Sequence, residues 1–474
     1  MTESNSGTPQ KRRPFEVSRR TLLAAGSAAV VAACANSGAH ASASDNEKLR
    51  SMVRGRVLLP GDAGFDHARK PWNLAVEQPV DAVVEVADAA ALVRYARDAG
   101  RRLTIQPNGH GASGATGGAI LVRTNRLGEI RVDPGRRTAR VGAGVSWGRL
   151  QDAASPHGLT GMVGSSPAVS VTGYVLGGGL SWFSRAAGWA ADSVTAFDVV
   201  DAQGRALHVT ASCEPDLFWA LRGGGGDYTL VTAVELDVRP VPALYGGGLR
   251  WPAERAPQVM AAFQEITAAA PQALTLWWSL TQIPFRPAQV GIDVLHLGDT
   301  DQARALLRPL EHITGPVADT RRVLPLTDLG TIGNEPAAPT AARSRTELLT
   351  HLDPTAVDNI LTTPIPPLIT IRIRHLGGAL ARQTTTAPGP MTEPYQITFV
   401  APHTTPQTAA NIDTSIRTRL ESLGETRSGR TPFTFLAPGQ TAADAVAPDT
   451  LRRLRTIKQR LDPQGIFRSN YPVG

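Results

Sequence analysis

Gln106-Pro107-Asn108-Gly109-His110-Gly111-Ala112 is the stretch of this chain best suited to chemistry. It follows the apolar run Leu103-Thr104-Ile105, which reads as a strand. Asn-Gly favours a tight turn, because Gly tolerates positive φ and Asn partly does. The imidazole between two glycines is open to close approach by a ligand. Taken alone, it reads as an ordinary polar turn residue. Downstream, two glycine clusters stand out, Gly177-Gly178-Gly179 and Gly223-Gly224-Gly225-Gly226. Each reads either as a tight turn or β-bulge, or as backbone laid against a flat or anionic ligand. Neither has the Lys-Ser/Thr of a phosphate loop, and neither opens a strand-turn-helix dinucleotide fingerprint. Together with the His110 loop they favour a large ligand wrapped by loops, of the size of a flavin dinucleotide.

The elements that would position these residues fall into two kinds. Ala89 to Ala96 carries apolar residues at helical spacing, with Gly100 as a stop. Ile130-Arg131-Val132 and Thr138 to Val141 alternate around Asp133-Pro134-Gly135, a hairpin signal. Ser146 can cap a helix running to about Ser155. Gly-rich turns and short β runs fill 158–240. Around Pro240 the character changes. A helix over 253–270, strands over 274–280 and 290–297 and a helix over 301–313 are predicted. Residues 327–366 read as loop, followed by strands over 369–374 and 395–400 and helices over 408–423 and 450–461. This pattern predicts an α+β fold with an antiparallel sheet backed by helices.

The 474 residues suit about two or three domains, and 42% hydrophobic with 19% charged residues is an ordinary globular composition. The charge of +7 comes mainly from arginine, since the lysines are Lys11, Lys48, Lys70 and Lys458 alone. No basic patch with interleaved aromatics is present, which argues against nucleic-acid binding. Ser18-Arg19-Arg20-Thr21-Leu22-Leu23 is a twin-arginine motif, followed by an apolar stretch too short to span a bilayer. Two exits remain open: cleavage after Ala39-His40-Ala41, or a lipobox, Val31-Ala32-Ala33-Cys34, that would anchor the chain to a membrane through Cys34. The expected location is therefore secreted or lipid-anchored at the cell surface. Such a route exports folded cargo, which suits a protein that acquires its cofactor before export. Cys34 and Cys213 leave no intrachain disulfide after either exit, and no Cys/His cluster has zinc spacing.

Several motifs then occur in order: 106–112; Arg140 to Gly148; Gly164-Ser165-Ser166-Pro167; Gly173 to Leu180; Asp216 to Gly226; Arg374 to Ala379; and Leu461 to Asn470. The set resembles FAD-linked oxidases of the vanillyl-alcohol-oxidase type, in the berberine-bridge-enzyme-like branch, over about 60–474. The resemblance implies an α+β architecture: a two-part PCMH-type FAD-binding domain (57–240), a substrate domain with a large antiparallel sheet backed by helices (241–439), and a C-terminal segment returning to the first (440–474). Residues 1–41 would be the signal segment. It implies oxidation of a small alcohol, sugar or amine by hydride transfer to FAD, with dioxygen as acceptor. His110 matches the histidine bonded to the flavin 8-methyl carbon, and Ser166 stands where many relatives carry a second, cysteine link, so one covalent bond is expected. Asn108, Gly109, Gly111, Ala112, Gly164, Ser165, Ser170, Gly173, Tyr174, Gly177, Val231 and Asn470 match other cofactor-contacting positions.

Two departures bear on catalysis. The family's Tyr-x-Asn, whose tyrosine serves as or helps the base, is matched by Pro432-Phe433-Thr434, which has no ionisable group. Asp227-Tyr228-Thr229 replaces Asn-Phe-Gly, and Thr229 is expected to crowd that turn or force another backbone angle. Removal of a hydroxyl proton needs a nearby base. Tyr174, His375, Tyr395 and Glu393 are candidates by residue type. Three also have a structural reading: Tyr174 as a flavin-lining ring, His375 as a satisfied histidine beside a Gly-Gly turn, Tyr395 as core.

Overall fold

Asp88 starts the first αβ unit: its carboxylate accepts from Ala91 N and caps the helix Ala89–Asp98, which buries Leu92, Val93, Tyr95 and Ala96. This computed structural model describes residues 43–474 apart from Ala337, Thr363 and Thr404. The twin-arginine segment, Cys34 and Ala41 lie outside the described residues. The helix links Ala82–Val86 to Leu103–Ile105 in a four-stranded sheet, ordered Gly55–Leu58, Ala82–Val86, Ile120–Arg123, Leu103–Ile105. The last three strands run parallel.

A second, antiparallel sheet follows: Ile130–Asp133, Thr138–Gly142, Leu230–Asp237, Val194–Val200, Ala206–Val209. Ser146 caps the helix Trp147–Ala154 by accepting from Arg149 N. Trp147, Phe197, Phe218 and Tyr228 fill the core between this sheet and its helices.

The third sheet is antiparallel and eight-stranded. Along it run Ala318–Asp319, Leu244–Pro252, Gln289–Leu297, Leu274–Thr281, Thr370–His375, Tyr395–Pro402 and Ala342–Leu349, with Arg322–Val323 paired to the second of these. Period-two alternation sorts its residues. Ile371, Ile373, Ile397 and Phe399 share a core with the helices Ala256–Ala269, Pro354–Leu361 and Pro406–Ser422. Their strand neighbours Arg372, Arg374, Gln396 and Thr398 take the opposite face, in register with Ser279, Trp277 and Thr346.

Residues 43–52 form a helix, held by Leu49 in the core and by Tyr95 Oη donating to Asp45 O. Two segments differ from the sequence-based expectation. The stretch 327–366, expected as loop, contains the strand Ala342–Leu349 and the helix Pro354–Leu361. The expected helix over 301–313 is two pieces, Thr300–Leu306 and Arg308–Glu311, because Pro309 cannot continue the hydrogen-bond ladder.

After the helix Pro448–Leu461, the chain returns to the first sheet. Leu103 N donates to Ile466 O, and Arg468 N to Leu103 O. Lys458 and two carboxylates tie this tail. Nζ of Lys458 donates to Asp462 Oδ2 and to the carbonyls of Asp227 and Phe467. The Asp462 carboxylate accepts from Ile466 N and Phe467 N, and the Asp227 carboxylate from Ser469 N (2.8 Å) and Val473 N (3.2 Å).

Candidate functional site

His110 lies in a turn between the strand Leu103–Ile105 and the strand Ile120–Arg123. Gly109 makes the turn possible: its φ is +74°, and a Cβ there would stand 2.7 Å from Pro71 Cβ. Trp72 stacks on the imidazole, with ring centroids 4.3 Å apart and planes 17° apart. Trp72 N also donates to Asn108 O, fixing the indole over the loop. Arg123 positions this neighbourhood. Its guanidinium donates to the carbonyls of Ala68, Lys70 and Gln106, and burial lowers its pKa to about 10.

Both ring nitrogens of His110 are buried, and neither has a hydrogen-bond partner among the described residues. Burial holds its pKa down to about 4, against a weaker opposing pull from Glu335. The imidazole is therefore neutral, with a free lone pair on one nitrogen. Asn108 Nδ2 donates to Ala168 O at 2.5 Å, joining this loop to the Ser165–Ser170 segment. Gln106 Nε2 donates to Asn470 Oδ1 at 2.7 Å, which brings the tail to the same loop.

Buried polar atoms without partners mark the bed beside these loops: Ser166 Oγ, Thr172 Oγ1, Tyr174 Oη, Thr229 Oγ1 and Ser469 Oγ. Buried polar groups are normally hydrogen-bonded, so such a row calls for a polar ligand. Gly111 faces open space, and a Cβ on Gly173 would meet nothing closer than Ser170 Oγ at 3.8 Å. Ser170 caps the short helix Val171–Leu176 by accepting from Gly173 N. Ala112 N donates to Gly109 O, closing the His110 turn. Val231 is buried in the strand Leu230–Asp237, beside a register shift.

The glycine clusters divide. A Cβ on Gly177 would approach Thr434 Cα to 3.1 Å, so the turn lies directly under the 433–435 segment. Gly164 and Gly179 form a slot for Tyr174, since Cβ atoms there would fall 2.8 Å from its hydroxyl and 2.5 Å from its ring. Gly223, Gly224 and Gly225 are occupied by protein: Pro388, Leu454 and Phe433 take the space a side chain would need. Of the two readings open for this cluster, these three positions show close packing. Thr229 does not adopt a positive φ, the backbone angle a glycine there would permit.

The proton-acceptor candidates separate as well. Tyr174 is buried beside the glycine turn, edge-on to Trp147; burial raises its phenol pKa, opposed by Arg374. His375 faces away from this group. Its Nε2 lies 2.9 Å from Arg185 Nη1, and burial with that cation lowers its pKa to about 3. Tyr395 stands on the helix-covered face, its hydroxyl hydrogen-bonded to Thr267 Oγ1 and its ring near Phe263. Glu393 pairs with Arg430 at 3.3 Å. Of the four, Tyr174 alone is brought to the glycine turn.

Sequence reasoning missed the arginine-rich face of the large sheet. Arg372 donates to Glu335 Oε1 at 2.5 Å, and Arg250 pairs with the buried Asp293. Burial alone would raise Glu335, but Arg372 and Arg374 pull it below the ordinary carboxylate value. Arg374 lies over Trp277, which stacks on Trp182 with centroids 3.5 Å apart. The available signal was arginine at alternate positions of an apolar strand, Thr370-Ile-Arg-Ile-Arg-His375.

Comparison with known proteins agrees with this bed. A family model described as an FAD binding domain matches residues 79–210. The chain is 26% identical to (R)-6-hydroxynicotine oxidase of Paenarthrobacter nicotinovorans over 469 residues, covering 89% of this chain and 97% of that one. Its fold is similar to BBE-like 1 of Physcomitrella patens (TM-score 0.79, 19% identity, 90% and 99% of the two chains). It is also similar to a carbohydrate oxidase from Microdochium nivale (TM-score 0.77, 19% identity, 91% and 99%). Asn108 to Ala112, Ser165 to Gly177 and Asn470 are the residues that would hold FAD, which would supply a two-electron acceptor. With an FAD binding domain over residues 79–210 and FAD-linked oxidases among the proteins it resembles, the chain is an FAD-dependent oxidoreductase.

Proposed function

We propose that this is an exported oxidase that holds FAD through one covalent bond, at His110, and oxidises a small alcohol, sugar or amine with dioxygen as final acceptor. The observation carrying this reading is the His110 ring: buried, neutral, stacked on Trp72, with both nitrogens unpartnered. A neutral imidazole nitrogen has the lone pair a C–N bond needs, while a protonated one does not. Ser166, on the companion segment, cannot form a thioether, which leaves His110 as the sole anchor. The substrate class is supported by relatives named for a hydroxynicotine and for carbohydrates. Export rests on the twin-arginine motif, with Ala41 and Cys34 as its two exits. Acid precipitation tests the anchor: the pellet should be yellow and fluorescent, and that of His110→Ala colourless. A colourless wild-type pellet with flavin in the supernatant refutes it.

A second reading, a flavoprotein weakened in catalysis, is favoured by Pro432 and by burial that holds the Tyr174 proton in place. Turnover on an alcohol, sugar and amine panel separates the two. Reoxidation in air after anaerobic photoreduction separates an oxidase from a dehydrogenase with another acceptor.

A further inference from the structure

A buried arginine normally directs its five N–H donors to carboxylates, carbonyls or water. Arg374 does not. It is 7% exposed, on the face of the strand Thr370–His375 opposite the helices. Its Nε has no partner, and no described residue forms a hydrogen bond with its guanidinium. Aromatic rings surround it instead: Cζ is 4.1 Å from the Trp277 ring centre and 4.8 Å from that of Phe435.

Neighbouring charges on this face are already matched. Arg372 is bonded to Glu335, and Arg250 to Asp293. Arg374 is left as the cation without a carboxylate in direct contact. Burial, reinforced by Arg372, lowers its pKa to about 10 against weaker opposing pulls from Glu335, Tyr174 and Asp293, so it remains charged at neutral pH. A buried guanidinium whose donors meet no carboxylate is costly, which makes this position suited to an anion arriving from outside.

Its surroundings say where that anion sits. Phe435 belongs to the 433–435 turn, whose Thr434 covers Gly177, and the Tyr174 phenol is within electrostatic reach of Arg374. Arg374 therefore stands between the large sheet and the glycine turn of the cofactor bed. A substrate lying between them would meet both.

We propose that Arg374 is a carboxylate-binding residue and that the substrate carries a carboxylate beside its oxidisable alcohol or amine. This rests on the FAD-site reading above. A guanidinium matches a carboxylate with two parallel N–H···O bonds, and the flanking rings exclude water that would weaken them. A neutral isostere would leave those donors unpaired, the arrangement that discriminates most strongly.

The test titrates matched pairs, benzoate with benzamide and glycolate with glycolamide, into the purified flavin-loaded enzyme and its Arg374→Gln and Arg374→Lys variants. Binding is read by calorimetry and by displacement of the flavin absorption bands. Each carboxylate should bind wild type at least about tenfold more tightly than its amide. Arg374→Gln should abolish that preference while leaving amide affinity unchanged, and Arg374→Lys should keep part of it. Absence of the preference in wild type, including no carboxylate binding, overturns the proposal, as does its persistence in a folded Arg374→Gln. If Arg374→Gln keeps carboxylate affinity but lowers the flavin reduction potential, the cation serves the ring and the proposal is equally refuted. Acid precipitation of the same samples reads the covalent anchor separately. A colourless pellet alongside a carboxylate preference in calorimetry would sink the anchor and not the carboxylate site.

Discussion

Acidification should weaken this protein through His375 in a way that can be isolated. In the folded state burial and Arg185 hold its pKa at about 3, against an ordinary value of 6.5. Its folded pKa is depressed, so the unfolded chain takes up a proton that the folded one refuses. Above pH 6.5 the residue is neutral in both states and contributes no pH dependence. Below it, stability falls by about 1.4 kcal/mol per pH unit until the folded form also protonates near pH 3. At pH 5 the loss assigned to this side chain is about 2 kcal/mol. His375→Gln keeps an acceptor for Arg185 and does not titrate. Urea unfolding of both proteins at pH 7.5 and pH 5 gives a double difference in which other titrating groups cancel. Wild type should lose about 2 kcal/mol more than the variant between the two pH values. Equal losses would refute the assignment of a buried, neutral His375.

Asp227→Ala would orphan the Ser469 and Val473 N–H groups and should cost about 2–5 kcal/mol in urea unfolding. It should also open the tail to proteolysis near Ser469, and an uncut tail would contradict the tie. Gly109→Ala places a Cβ 2.7 Å from Pro71 at positive φ; about 1–2 kcal/mol of backbone strain is expected, with a fall in acid-stable flavin read by absorbance. Full flavin incorporation would count against that turn being required. Ser166→Cys should restore a second attachment, read as flavin retained in acid by the Ser166→Cys/His110→Ala double variant; release of all flavin would place the residue away from the ring.

The sequence was most informative where a local rule decides. Asp88 and Ser146 cap helices at their expected starts, and the 130–141 hairpin follows its Pro-Gly turn. The His110 loop could be singled out because Asn-Gly and a flanking glycine are themselves short-range signals. Its meaning was not local: Trp72, Arg123 and Asn470 converge on it from separate segments. The strand Ala342–Leu349 was hidden because it is polar on both faces: Ser344 and Thr346 share the side of Thr398, while Arg343, Arg345 and Glu347 stand in register with Ala401, Phe399 and Ile397. Ala-Arg-Ser-Arg-Thr-Glu therefore lacks the apolar alternation that marks a strand. Tyr395 and His375 were misleading for the converse reason. Residue type suggested chemistry, whereas strand parity turned both toward the helix-covered side, opposite Arg374. The Gly223–Gly226 cluster shows that glycine density does not distinguish a ligand bed from close packing of Pro388, Leu454 and Phe433.

A single covalent anchor at His110 is read out by mass spectrometry of a tryptic digest. Peptide 103–123 contains His110 and no internal cleavage site, and peptide 150–185 contains Ser166. Peptide 103–123 should be heavier by one FAD, less the hydrogens lost on bond formation, with fragments placing the addition on His110, and 150–185 should be unmodified. An unmodified 103–123 from a yellow preparation, or flavin mass on 150–185, would contradict it.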